Sequence, residues 1–527
     1  MKNKFIYLSV LALVLVSCEP EFENEINSDT YYSGEADFTT YVAIGNSLTA
    51  GYMDGTVFRT GQQYSFPNIL AQQFALAGGG AFTQPSFADD TNNLGGLLLG
   101  GNPIGATRMI INASAGGPQN IAGSPTIEVS NLQATAYNNM GVPGAKSFHL
   151  VAPGYGNVAG VALGQANPYF ARHATSPSTT VLADAMSLNP TFFTNWIGAN
   201  DILAYATNGG ATSDGNTPAS DHNQTGNMDP STYGGNDITN ANVFAGVYNG
   251  LITTLTSTGA KGVVATIPSV ASVPYFTTVP YNPIPAEVIT SNPQASLLIG
   301  LYQFLAVATN GRIAPLNTEG GTTNPILIND VELADLGVQI TAYALASGDP
   351  ILIAYAPQLG ALYGRARQAT ANDLVVLPAS SVIGTPNSAS SAPFDINGVT
   401  FPMANRWVLT SSEQSRVTAA TTAFNNTIKA VAQANGLAVA DMNAILGKLA
   451  DYGKGIRTED GQTYFANYFS TDKLNTTLFS LDGVHPNAKG YAVIANEVIK
   501  VINSHYGSYL PLVVPGTYPG ATILVTN

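Results

Sequence analysis

Three short segments carry side chains that could together perform acyl-transfer chemistry. The first is Ile44-Gly45-Asn46-Ser47-Leu48. Its glycine permits a tight turn, and Ser47 falls where a helix would begin. The hydroxyl is then exposed, and the serine's own amide is free to donate to a developing oxyanion. The second is Gly198-Ala199-Asn200-Asp201, where the Asn200 side chain can offer an N–H to an anionic oxygen. The third is Asp482-Gly483-Val484-His485-Pro486. Asp and His three residues apart in a turn can meet on one side. The carboxylate holds Nδ1–H and leaves Nε2 free to take a proton from serine. An ordinary imidazole, with a pKa of ~6.5, does this near neutral pH. Each segment alone has a plainer reading, as a helix cap or a turn. Their joint occurrence in this order is what points to chemistry.

These residues need elements to position them. The run 41–45 is apolar, of strand length, and closed by Gly45. Residues 64–77 place Phe66, Ile69, Leu70, Phe74 and Leu76 at mostly helical spacing. Residues 78–130 are rich in Gly, Asn and Ala and read as an irregular insertion. A second strand is expected at 134–137, a helix at 181–187 and a third strand at 191–197. Residues 206–240 read as a polar surface loop, 242–255 as a helix and 262–268 as a fourth strand. The stretch 281–405 is a large insertion or subdomain, too apolar to stay solvated. Ser411 or Ser412 can then cap a helix with Glu413 in its first turn. Val417, Phe424, Ile428 and Val431 form its apolar stripe, and Gly436 its stop. A fifth strand, 437–440, ends at Asp441, and the last helix covers about 487–503. Such alternation predicts an α/β fold with a parallel sheet covered by helices on both faces. In such sheets chemistry sits beyond the carboxyl ends of the strands.

Composition narrows the function classes. Of 527 residues, 45% are hydrophobic, which excludes disorder of the whole chain. The net charge of −14, from 19 basic and 33 acidic residues without a basic cluster, argues against a nucleic-acid partner. Cys18 is the single cysteine, so no internal disulfide forms. Lys2 and Lys4 precede an apolar run of 12 residues at 5–16, too short for a spanning helix of ~20 residues. The run ends in Leu15-Val16-Ser17-Cys18, which resembles the lipobox of bacterial lipoproteins. That resemblance implies a signal peptide at 1–17 and acylation of Cys18. Glu19, Glu21, Glu23 and Glu25 follow, and residues 18–37 read as an acidic tether ahead of a domain at 38–527.

Taken together, the motifs resemble the four blocks of the SGNH, or GDSL, hydrolase family, in order. Gly45-Asn46-Ser47-Leu48 matches the nucleophile block, and Gly198-Ala199-Asn200-Asp201 the block of the oxyanion asparagine. Ser480-Leu481-Asp482-Gly483-Val484-His485-Pro486-Asn487 matches the Asp-His block. Within Asn139-Met140-Gly141-Val142-Pro143-Gly144-Ala145, Gly144 is chosen over Gly141 as the oxyanion glycine. The resemblance implies a three-layer α/β/α flavodoxin-like fold, with Ser47 as nucleophile, His485 as base, Asp482 orienting it, and Ser47, Gly144 and Asn200 forming the oxyanion hole. No metal or cofactor is implied. Asn46 departs from the family's usual Asp before the serine, and the 281–405 insertion is unlike a minimal member.

The remaining candidates have structural readings. His149 is expected to be structural, and His173, His222 and His505 to be isolated surface or core residues. Asp201 anchors its loop, and Asp441 is as well placed to cap a helix as to act chemically. The expectation is a lipid-anchored serine esterase, lipase or acylhydrolase of the cell envelope, on the outer membrane. It touches the membrane only through Cys18 and cleaves lipid or acylated-carbohydrate esters. An acyltransferase or carbohydrate deacetylase would use the same residues, and a non-catalytic surface lipoprotein is the third alternative. The insertions 78–130, 206–240 and 281–405 would border the strand ends and shape the pocket.

Overall fold

Val42 and Ile44 alternate with Tyr41 and Ala43 along the first strand, and all four are buried. A strand apolar on both sides belongs in the middle of a sheet with covered faces. In the computed structural model, which describes residues 30–114, 116–470, 473 and 476–524, that is where it lies. The strands are β1 (Tyr41–Gly45), β2 (Asn139–Gly141), β3 (Phe192–Trp196), β4 (Lys261–Ala265) and β5 (Ala438–Ala440). They form one sheet in the order β2-β1-β3-β4-β5, every pair parallel. The chain steps from β1 outward to β2, then returns to β3 on the other side. The order therefore reverses at β1, and the crevice above its carboxyl end lies between the loops leaving β2 and β3.

The helices that follow the strands are α1 (Phe66–Ala75), α2 (Val181–Ser187), α3 (Asn200–Thr207), α4 (Ala241–Thr256), α5 (Ala295–Ala308), α6 (Gly337–Ala346), α7 (Pro350–Tyr363), α8 (Ser411–Ala434), α9 (Met442–Ala450) and α10 (Ala488–Tyr506). On one face, Tyr41, Ala43 and Phe192 pack with Phe74 of α1 and with Val498 and Ile502 of α10. On the other, Val42, Ile44 and Phe193 pack with Val181 of α2, Leu251 of α4 and Phe424 of α8. Each such fully buried aliphatic or aromatic side chain contributes roughly 1.5–3 kcal/mol.

Several expectations need correction. The second strand is not at 134–137 but at β2. Ala134 takes a left-handed φ of 45°, and Gln133 and Thr135 donate to the carbonyls of Arg172 and His173 instead. The 78–130 insertion is more regular than its composition suggests. Leu97–Leu99 and Asn102–Gly105 form a hairpin about Gly100-Gly101, whose φ values of 59° and 79° suit a two-residue turn. Met109–Asn112 and Gly117–Asn120 form a second antiparallel pair. Residues 206–240 run along the surface as expected, with 216–218 and 223–226 exposed, but the segment is anchored by the buried Ala211, Ala219, His222 and Ile238. The cap of α8 is Thr410, not Ser411 or Ser412. Glu413 accepts the Thr410 N–H and hydroxyl at 2.8 and 2.9 Å.

The signal peptide, Cys18 and residues 19–29 lie outside the described residues. The described end of the expected tether is already docked. Glu35 N–H donates to Tyr506 O at 2.8 Å, Tyr32 pairs with Tyr509, and Ala36 is buried. Between β4 and α8, the 281–405 insertion carries α5, α6 and α7 among short two-stranded ladders and turns. Its helices α5, α6 and α7 contain no charged residue. α6 and α7 pack as a hairpin so closely that a Cβ on Gly360 would sit 2.5 Å from Gly337 O. Among the described residues no helix is long and apolar enough to cross a membrane.

Candidate active site

Ser47 leaves the carboxyl end of β1 at the crevice. Gly45 lies in register with Gly141 of β2 and Trp196 of β3. A Cβ on Gly45 would meet Thr49 Oγ1 at 2.2 Å and Trp196 O at 2.7 Å, so only glycine lets the chain turn into the helical turn Ser47–Ala50. Asn46 caps that turn, its side-chain oxygen accepting the Leu48 N–H at 3.1 Å. An acceptor is all the position requires here, and Asn supplies it as Asp would. Ser47 is 7% exposed, and its N–H donates to no other group among the described residues.

The nucleophile candidate meets its partners. His485 Nε2 lies 2.8 Å from Ser47 Oγ, and His485 Nδ1 lies 3.0 Å from Asp482 Oδ2. With Nδ1 donating to the carboxylate, Nε2 presents its lone pair to the serine hydroxyl. Asp482 Oδ1 also accepts the N–H groups of Val484 and His485, both at 2.8 Å. Burial pushes the Asp482 carboxyl up, but His485 and these N–H groups outweigh it and hold it below the usual carboxylate range. The loop is closed by Ser480 N–H on His485 O at 2.8 Å, and Gly483 supplies the φ of 73° that the turn needs. A Cβ on Gly483 would also strike Leu377 Cδ2 at 2.8 Å, so the base of the 281–405 insertion backs this loop.

The loops after β2 and β3 flank Ser47 and are tied together. Asn200 Nδ2 donates to Ala145 O at 2.9 Å, which leaves its second amide hydrogen uncommitted. Asp201, fully buried, accepts the Ser147 N–H and hydroxyl, each at 2.8 Å. The two glycines separate by role. Gly141 N–H is taken by Asn139 Oδ1 at 3.0 Å, and a Cβ there would lie 2.3 Å from Ala50 N. Gly144 is exposed at φ 80°, and its N–H donates to no other group among the described residues. The chain thus presents unused N–H groups at Ser47, Gly144 and Asn200 on three adjacent strand ends.

Sequence reasoning missed the turn behind the histidine. The Tyr52 ring lies 4.6 Å from the His485 ring at 41°. Asp54 Oδ1 accepts the Leu481 N–H at 3.0 Å, and Gly55 N–H donates to Asp482 Oδ2 at 3.2 Å. The only local signal was the Asp54-Gly55 dipeptide, which marks a turn and nothing more.

The other candidates are structural. His149 Nδ1 accepts the Lys146 N–H at 3.0 Å, and burial lowers its pKa to about 4. His173 is buried, which lowers its pKa to about 3. His222 is not isolated: its Nε2 pairs with Asp237 at 2.9 Å beneath the Tyr233 ring. His505 bonds Gly436 O at 3.1 Å at the surface. Asp441 caps α9 through the Ala444 N–H and pairs with Lys429 at 2.7 Å. Among the described residues no group of three or more His, Cys, Asp or Glu side chains could hold a metal ion.

Neither of two cavities among the described residues is lined by Ser47, Asp482 or His485. One of about 90 Å³, almost wholly apolar, touches Leu48 beside Ser47 and both Val484 and Pro486 beside His485. The other, of about 690 Å³, lies within the 281–405 insertion among Ile284, Leu301, Ile351 and Phe394. Comparison with models of known protein families, with curated proteins and with solved structures finds no match to the chain.

Proposed function

We propose that the chain is a serine hydrolase of the SGNH type that cleaves carboxylic esters through an acyl-enzyme. The observation that carries this reading is the unbroken Asp482–His485–Ser47 relay at 3.0 and 2.8 Å, with the serine on a helical turn whose amide is free. The order β2-β1-β3-β4-β5 supports it too, since doubly wound sheets of the flavodoxin type run 2-1-3-4-5. His485 accepts the Ser47 proton as Oγ attacks the ester carbonyl, and Asp482 stabilises the imidazolium. The tetrahedral oxyanion takes hydrogen bonds from the Ser47 and Gly144 N–H groups and from Asn200 Nδ2. The protonated His485 then gives its proton to the leaving alkoxide. Water, deprotonated by the same nitrogen, releases the acid.

Cys18 and its upstream residues support an envelope lipoprotein, held at the outer membrane by its acylated cysteine. The test is hydrolysis of p-nitrophenyl acetate, butyrate and palmitate by the chain lacking residues 1–18, beside Ser47→Ala and His485→Ala. Turnover abolished in both variants supports the reading, and the chain-length profile assigns the acyl class. Turnover that survives Ser47→Ala overturns it.

A further inference from the structure

The segment that delivers the nucleophile continues into the turn that grips its base. Tyr52 N–H donates to Ser47 O at 3.0 Å, and Met53 and Thr56 exchange backbone bonds at 3.1 and 3.2 Å. Tyr491 OH donates to Tyr52 O at 2.7 Å, Met109 N–H donates to Asp54 O at 2.7 Å, and Tyr52 OH donates to Gly55 O. The turn is thus tied to Ser47 on one side and to α10 and the 109–112 strand on the other. It makes three contacts with the Asp482–His485 loop: the Tyr52 ring on the imidazole, Asp54 Oδ1 on the Leu481 N–H, and Gly55 N–H on Asp482 Oδ2. Asp54 holds a left-handed φ of 52°, a conformation Asp and Asn tolerate better than other side chains.

We propose that Asp54 is a positioning residue for the Asp482–His485 pair, fixing the loop through Leu481 and placing a second buried carboxylate beside Asp482. This rests on the serine hydrolase reading. Asp54 is 6% exposed. Burial pushes its carboxyl up to about 6; the Leu481 N–H and Arg108 oppose the rise, and Asp482 adds to it. The groups that face it are Asp482 from the facing catalytic loop, Arg108 from the 109–112 hairpin side, and Tyr468, whose hydroxyl donates to Leu481 O at 2.8 Å. Arg108 is engaged elsewhere, with Asn93 O and Thr522 Oγ1. Above its pKa, ionised Asp54 favours the imidazolium that forms when Ser47 gives up its proton. Below it, Asp54 is neutral and that support is lost.

The experiment is phosphonylation by a fluorophosphonate, followed against pH for the wild type and Asp54→Asn. Ser47 Oγ forms the bond to phosphorus, fluoride leaves, and His485 Nε2 takes the serine proton, so no substrate need be known. Asn keeps the side-chain acceptor and the left-handed backbone but carries no charge. The wild-type rate should fall with acid more steeply than the variant's, reaching a slope of ~1.5 near pH 6 where Asp54 takes up its proton against ~1 for the variant, and the two rates should converge at lower pH. Loss of the charge should slow the variant ~10-fold at pH 8, with its melting temperature little changed. A wild-type slope of 1, or a variant with wild-type rates and profile, overturns the proposal alone. A wild type that takes up no label overturns the hydrolase reading and the proposal with it. Should Asp54→Asn not fold, Tyr52→Phe, which releases only the tie to Gly55 O, must slow labelling for the positioning claim to stand.

Discussion

Replacing Asp482 by Asn puts the relay under the sharpest test. Its Oδ1 takes two backbone N–H groups at 2.8 Å, and Oδ2 faces His485 Nδ1 at 3.0 Å and Gly55 N–H at 3.2 Å. In Asp482→Asn the amide oxygen stays with the backbone pair, so the amide NH₂ faces two donors. The imidazole resolves the conflict by moving its proton to Nε2, which then points an N–H at Ser47 Oγ. A serine facing a donor has no base. Loss of a correctly held tautomer in such a relay costs about 10⁴-fold in kcat, or about 5 kcal/mol of barrier. KM should stay near the wild-type value, because Asp482 does not contact the ester. Steady-state hydrolysis of p-nitrophenyl butyrate measures both constants, and a thermal melt checks that the variant is folded. A folded Asp482→Asn within tenfold of the wild-type kcat would refute the assignment of Asp482 as the group that orients His485.

Other consequences follow from neighbouring contacts. Asn200→Ala should lower kcat by 10²–10³ (about 2.7–4 kcal/mol) with little change in KM, as read from the same kinetics, if Nδ2 serves the oxyanion. Gly141→Ala should destabilise by roughly 1–3 kcal/mol or more in a denaturant melt, because its Cβ would sit 2.3 Å from Ala50 N. Gly144→Ala meets only Asn167 Nδ2, at an ordinary contact distance of 3.9 Å, and should lose about 1–2 kcal/mol to the strain of φ 80°. Burial raises the Glu413 carboxyl to about 7, so the folded state holds a proton that the unfolded chain has released above pH ~4.5. Stability should therefore fall as pH rises from about 5 to 7, by at most roughly 3 kcal/mol from this group, and Glu413→Gln should flatten that slope in melting curves.

Much of the sheet was legible because its strands are buried on both faces. Val42 and Ile44 beside Tyr41 and Ala43, or Phe192 beside Phe193, leave an apolar run that no turn interrupts. β2 left no such run. Asn139 is buried, but its amide is satisfied by Thr49 O and Gln84 Oε1, partners brought by the tertiary fold. The Leu97–Leu99 hairpin did carry a readable sign in Gly100-Gly101 between two short strands. The α8 cap was displaced by one or two residues because Thr410, Ser411 and Ser412 all offer hydroxyls. Only the Glu413 side chain, closing on Thr410, selects among them. Candidate catalytic types stand out in a sequence because few residues can do their chemistry. The 52–55 turn does not, because its contacts with the 481–482 loop span 427 positions.

The central claim is that Ser47, and no other serine, is made nucleophilic by His485. It is tested most directly by treating the chain with a fluorophosphonate and locating the adduct by peptide mass spectrometry. The account predicts a single stoichiometric adduct on Ser47 that is absent from His485→Ala. An adduct on a different residue, or equal labelling of Ser47 without His485, would contradict it.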